Sequence, residues 1–150
     1  MGARSWIVNR LRGDATFTGI LGTVEGVAPA GRIVSSGSIG IPGTTNAEIK
    51  RPFVVVRANL AGRALSGADK RYPAQPWMLW MHDSPGSYEA NIAPLLRRAA
   101  VLLDGQPSVD MGDGEWLISC AWEVDSPDLY DDGLGTATRY SSYRLVTRVG

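Results

Sequence analysis

The clearest pattern of apolar and polar positions lies in the last third of the chain. In GEWLISCAWEVDS (Gly114 to Ser126), Trp116, Ile118, Cys120, Trp122 and Val124 share one parity and Ser119, Glu123 and Asp125 the other, the period-2 signature of a half-buried strand. In YSSYRLVTRV (Tyr140 to Val149), Tyr143, Leu145 and Val149 share a parity, with Arg144 and Arg148 opposite. The acidic segment Pro127 to Arg139 between them predicts an antiparallel pair with a long connection at an edge or rim.

Earlier segments read in the same way. SWIVNRLRG places Trp6, Ile7 and Leu11 at helical spacing behind a Ser5 N-cap, with Gly13 as the stop. From Gly19 to Thr45 the many glycines, with Pro29 and Pro42, predict irregular loop around a short strand near Arg32 to Ser35. Pro52 to Asn59 is rich in β-branched residues and predicts a strand, and a second long polar loop with basic bias precedes Trp77. Trp77 to Asp83 predicts a buried strand that ends in a Ser-Pro-Gly turn. Trp77 and Trp80 are three apart, so they face opposite sides of it.

Tyr88, Ile92, Leu95, Leu96, Ala99, Leu102 and Leu103 recur at three and four residues, the apolar stripe of a helix, with Gly105 as its stop. Pro94 removes a donor from the helix interior, so the helix either kinks there or starts properly near Ala93. Gly105 to Gly114 reads as a polar connection. This element order predicts an α+β fold, with a mainly antiparallel sheet, helices packed on one face and long decorated loops, in a single domain over residues 1–150.

Composition narrows the function. A chain of 150 residues that is 44% hydrophobic can fill one core. Formal net charge is zero, and its 15 basic and 15 acidic residues, read as mixed along the chain, do not advertise a surface for nucleic acid or an anionic membrane. Cys120 is the sole cysteine, which excludes an intrachain disulfide, and its apolar neighbours mark it as a small buried hydrophobe. Arg4, Asn9, Arg10 and Arg12 interrupt any signal-peptide core, and no segment reaches the roughly 20 apolar residues that span a bilayer. Synthesis in the cytoplasm is expected.

Candidate chemistry is sparse. His82, Asp83 and Ser84 supply the residue types of a hydrolase triad, but adjacent positions at a strand end cannot converge with histidine in the middle. A single histidine with one cysteine fits no common zinc spacing, and no phosphate loop is spelled by Gly31, Gly37, Gly40 and Gly43. No cofactor is expected. Asp125, Asp128, Asp131 and Asp132 lack the alternation and distal glutamate of a calcium loop, so they read as solvated rim or interface charge. As an interface they would pair with Arg63, Lys70, Arg71 or Arg139 of a neighbour.

From Trp77 onward the chain resembles the tail terminator proteins of long-tailed phages that infect actinobacteria. The resemblance rests on WMLWMHD leading into an aromatic-opened helix at Tyr88, the helix end Leu103-Asp104-Gly105, the tryptophan strand, Ser-Pro-Asp-Leu-Tyr-Asp-Asp, and a terminal strand after Arg139. It implies a non-enzymatic α+β subunit in a homohexameric ring that caps the tail tube at the neck of the virion. The implied partners are further copies of the chain, the major tail tube protein and a head-closure or connector protein. DNA passes the lumen without specific binding, and no membrane is involved. Other readings stay open: another neck component, such as a head-closure or tail-completion protein, a small enzyme or ligand-binding domain near His82 and Cys120, or a bacterial domain with no viral role.

Overall fold

A computed structural model describes residues 2–35, 50–58, 74–112 and 114–149. The order is α1 (Ala3–Arg12), α2 (Ala15–Leu21), a 3₁₀ turn (Pro29–Arg32), β1 (Ile33–Ser35), β2 (Phe53–Ala58), β3 (Ala74–Asp83), a π-helical turn (Tyr88–Ile92), α3 (Ala93–Leu103), β4 (Val109–Gly112), β5 (Glu115–Asp125), β6 (Leu129–Asp131) and β7 (Thr136–Val149). The seven strands form one sheet in the order β1-β2-β3-β7-β5-β4, with β6 also paired to β7. Only β1 with β2 is parallel, and the fold is α+β as the element order predicts.

One face of this sheet carries the core. Val54, Val56, Trp77, Leu79, Met81, Ala137, Tyr143 and Leu145 pack with Ile7, Leu11, Phe17, Leu21, Leu95, Ala99 and Leu103 from the three helices. The stripe predicted for α3 is the buried one, and each such side chain removed from water contributes roughly 1.5–3 kcal/mol. Pro94 falls in the first turn of α3, where its missing N–H costs nothing, and the π-helical turn absorbs the change of direction before it. Gly105, at φ 68°, lets the chain leave α3 and donate its N–H to Cys120 O at 2.8 Å.

The N-terminal region differs from expectation. Helix α1 is capped by Gly2 and takes Ser5 into its first turn. The stretch read as loop after Gly19 begins inside α2, a seven-residue helix whose N-cap Asp14 accepts the Phe17 N–H at 2.7 Å. Thr16, Thr18 and Gly19 are poor helix formers, so α2 depends on that cap and on burial of Phe17 and Leu21. Arg98 from α3 grips the same carboxylate at 2.7 and 2.9 Å, tying the two helices. The strand predicted from Pro52 starts at Phe53, the strand predicted from Trp77 starts at Ala74, and the connection after Gly105 contains the edge strand β4. The expected short strand is found as β1; the remainder of the first loop, 36–49, and most of the second, 59–73, lie outside the described residues.

Arg32 is the largest side chain in the interior, 1% exposed. Its guanidinium donates to Pro52 O and Leu21 O, both at 2.8 Å, and to Gly22 O, joining the end of α2 to the start of β2. Burial pushes its pKa down, and the field of Asp83 opposes that shift.

Hydrogen bonds from Arg98 hold the Asp14 carboxyl near a pKa of about 2, below its ordinary 3.8. A carboxylate with a depressed folded-state pKa stabilises above its unfolded value, and that contribution disappears as pH falls from about 4 through about 2. Asp14→Ala is expected to lower unfolding free energy at pH 7 by about 1–2 kcal/mol. Asp14→Asn, which keeps the cap and loses the charge, is expected to cost less and to flatten the acid limb. Urea titrations at pH 7, 4 and 2.5 check both outcomes.

Candidate functional surfaces

The sheet face opposite the helices carries a band of rings across three strands. Phe53 pairs with His82 and His82 with Thr138, while Val55 pairs with Trp80 and Trp80 with Tyr140. Phe53 and His82 stack with centroids 4.7 Å apart and planes at 3°, and Trp80 lies 4.6 Å from Tyr140. Trp77 and Trp80 thus face opposite sides, as their spacing predicts, with Trp77 in the core.

His82 is 4% exposed, and its Nδ1 shares a hydrogen bond of 2.8 Å with Thr136 Oγ1. Burial pushes its pKa down to about 4, helped by Arg51 and opposed by Asp131. Asp83 turns elsewhere, accepting from Ser84 N and from Asn91 Nδ2, both at 2.7 Å. The His82-Asp83-Ser84 trio therefore does not converge. Cys120 is 2% exposed with its thiol raised to about 12 by burial, the inert core sulfur that its neighbours predict. Among the described residues no group of three His, Cys, Asp or Glu side chains is placed to hold a metal ion.

The acidic segment is more ordered than a solvated loop. Strand β6 pairs with the start of β7 through Leu129↔Thr138 and Asp131↔Thr136. Asp131 closes the turn between them, its Oδ1 accepting Leu134 N at 2.9 Å and its carbonyl accepting Gly135 N at 2.7 Å. Gly135 sits at φ 66°, and Arg51 Nη2 reaches over to Leu134 O at 2.8 Å, pinning the turn to the start of β2. Asp132 is exposed.

Arg139, a candidate for pairing with a neighbour, is engaged within its own chain. It meets Asp128 at 2.5 Å and Glu89 at 3.0 Å, lies 5.3 Å from the Tyr88 ring centre, and has its pKa raised chiefly by Asp128. Tyr88 also donates its hydroxyl to Leu129 O, so this cluster locks β6 onto the π-helical turn. The other three basic candidates, Arg63, Lys70 and Arg71, lie outside the described residues.

Strand β5 departs most from its sequence pattern. Its register with β7 slips between Leu117 and Ser119 and again between Trp122 and Val124. Each bulge advances one strand by a residue, so the side chains on its two sides no longer share one parity. Leu117 and Cys120, three apart, are the buried pair, while Trp116, Trp122 and Val124 are 38%, 45% and 49% exposed. Trp116 falls opposite Leu117, whereas Trp122 shares the register face of Cys120, so the tryptophans of the expected stripe are both partly on the surface but for different reasons. Tyr130, 55% exposed, and Val101 of α3 are the other exposed large hydrophobes among the described residues.

The charges also separate, contrary to a mixed reading. Residues 104–138 hold nine acidic residues and neither lysine nor arginine, whereas residues 1–13 hold three arginines and no acid. The sheet order puts β4 and β5 at one edge and β1 at the other. Helix α1 reaches across between them, with Arg12 bonded to Ile33 O of β1 and Arg10 bonded to Leu102 O and Gln106 beside the end of α3.

A scan of known protein families finds no match to the chain, and a search of curated proteins finds none. Among solved structures, a chain from the virion of a native gene transfer agent particle aligns at 12% identity and a TM-score of 0.67. The two chains share one fold. The alignment covers 99% of this chain and 99% of that one, so helices and strands correspond from end to end.

His82 gives a pH signature for the aromatic face. A histidine whose folded pKa is depressed to about 4 favours folding fully above its unfolded value of 6.5, and the contribution is lost as pH falls towards 4. Wild-type unfolding free energy is expected to fall by roughly 3 kcal/mol over that interval from this group alone. His82→Gln is expected to start lower at pH 7 and to show a shallower fall. Denaturant unfolding at half-unit pH steps checks the difference.

Proposed function

We propose that the chain is a structural component of a phage-like virion, specifically a tail terminator. In this reading a homohexameric ring forms on the finished tail tube at the tail-neck junction, stops polymerisation and presents the surface that joins the head connector. The observation that carries the reading is the shared fold, over 99% of both chains, with a chain of a gene transfer agent virion, set beside the resemblance of the chain from Trp77 onward to tail terminators. The chemistry is consistent with an assembly role. The histidine and the thiol are both buried, while aromatic and charged side chains stand outside.

A ring needs two different patches that fit head to tail, because a self-complementary patch stops at a dimer. The clustering of acids in residues 104–138 and the basic bias of residues 63–71 supply the raw material. Asp128, Asp131 and Asp132 are proposed to face Arg63, Lys70 and Arg71 of the next subunit, with Arg139 holding Asp128 in place. The tail tube protein and the connector bind the two ends of the ring, and DNA crosses the lumen without specific contacts.

Light scattering on the purified protein, alone and with its tail tube protein, tests this. A mass near six subunits, in solution or on the tube, is expected. A strict monomer indifferent to the tube overturns the terminator reading, and binding to the connector alone moves the chain to a head-closure role.

A further inference from the structure

Strand β5 has an edge that is closed to further strands and yet rich in exposed side chains. Strand β4 pairs with it only as far as Leu117. Beyond that point the end of α3 takes over the ladder positions: Gly105 N donates to Cys120 O and Trp122 N donates to Asp104 Oδ1, both at 2.8 Å. An edge blunted in this way resists strand addition, so a partner must engage it through side chains. Trp122 is the natural anchor. It is 45% exposed, its indole N–H is held by Asp125 Oδ1 at 2.9 Å, and its backbone N–H is held by the Asp104 carboxylate. Neither carboxylate has an ion pair among the described residues. A fixed tryptophan with uncompensated acids beside it is the composition of an interface centre, since tryptophan dominates hot spots and like charges favour a basic partner.

A groove lies beside β1, at the other side of the sheet from β5. Between α1 and β1 runs an open groove of about 350 Å³, lined by Arg4, Ser5, Val8, Arg12, Val34 and Ser35. Its floor is apolar at Val8 and Val34, and it is flanked by two exposed arginines that have no ion pair among the described residues. Arg12 is held in position by its bond to Ile33 O at 2.9 Å, and Arg4 lies 5.8 Å from the Trp77 ring centre. The groove is of a size to take one indole; Arg12 supplies a guanidinium at one end, and Arg4, whose guanidinium lies over Trp77 in a neighbouring pocket shared with Glu115, borders the other.

We propose that the α1–β1 groove receives Trp122 of a second copy of this chain, with Arg4 and Arg12 facing Asp104 and Asp125 of that copy. The contact is heterologous, since the anchor and the groove lie at opposite edges of the sheet and cannot satisfy one another in a single two-fold pair. It rests on the ring reading above and assigns the two surfaces that close the ring. Trp122 is the centre of the contact and its charges set register, so truncation of the ring should cost more than reversal of either charge alone.

The test uses two variants that each spoil one surface, Trp122→Arg for the anchor and Ser5→Trp for the groove, with Arg4→Glu as a second groove variant. All three sites are exposed, and thermal melts are run first to select variants that unfold as the wild type does. Sedimentation velocity in the presence of the tail tube protein is then expected to show rings for wild type and monomers for each variant alone. A mixture of Trp122→Arg with Ser5→Trp retains one intact anchor and one intact groove, so it is expected to give a one-to-one dimer and no ring. Rings from a folded Trp122→Arg variant, or a mixture that stays monomeric at concentrations where wild type assembles, overturn the proposed contact while leaving the ring reading standing. A wild type that never assembles fails the ring reading itself.

Discussion

β7 is hydrogen-bonded along both sides for nearly its whole length, to β3 from Ala137 to Val146 and on the other side to β6 and then β5. The rest of the sheet is placed by that double pairing. With both sides occupied, Tyr143 and Leu145 are fixed on the helix-covered face and Tyr140 on the other, and neither neighbour can slip by one residue without turning its apolar set outward. The mismatch between a straight central strand and a strongly twisting neighbour is absorbed in β5, by its two bulges. Trp122 keeps the register face of Cys120, opposite the buried Tyr143, and is nonetheless 45% exposed where β5 runs on beyond its pairing with β4.

The strands that flank β7 were legible because their patterns are long and their partners regular. Trp77 to Asp83 opens on a continuous apolar run and is closed by a turn signal, Tyr143 and Leu145 alternate with polar neighbours, and both segments pair without interruption. The α3 stripe was legible for the same reason, and its proline sits where a proline is harmless. The short edge strands β4 and β6 fell inside segments read as connections, and two further elements show why such signals are missed or misread. The short helix α2 has little propensity of its own, and its signal was the pairing of Asp14 as a cap with Phe17 and Leu21 four residues apart. In β5 the alternation Trp116, Ile118, Cys120, Trp122, Val124 is present in the sequence, but a bulge has no marker in parity, so the pattern named the strand and misassigned its faces.

The candidate surfaces were legible to a lesser degree. The acidic residues 125–132 were read as solvated rim or interface charge; Asp132 is exposed and Asp128 more than half exposed on its side chain, while Asp131 is built into the β6–β7 turn. What a count of charges could not convey is clustering along the chain. Equal totals of acid and base describe a neutral chain, yet the charged residues of 104–138 are all acidic and those of 1–13 all basic. Arg139 illustrates the opposite limit, because a residue free to pair with a neighbour in the sequence is already committed to Asp128 and Glu89 once the hairpin folds back on the π-helical turn.

A molecule with unlike patches at its two sheet edges is suited to closed or open polymers rather than to a two-fold dimer, and solubility then depends on how those patches are restrained before assembly. Here the restraint is local. Beyond Leu117, Cys120 O and Trp122 N of β5 are spent on Gly105 and Asp104, and the Ile33 carbonyl of β1 is spent on Arg12, so these groups offer no ladder positions to a further strand. In the proposed contact, side-chain complementarity is then the recognition signal, and it would be selective because an indole needs a groove of its own size while a carboxylate needs a guanidinium at a fixed distance from it. At Trp122 the two tasks fall to neighbouring bonds: Asp104 takes the backbone N–H that a strand would use, and Asp125 takes the indole N–H and orients the ring.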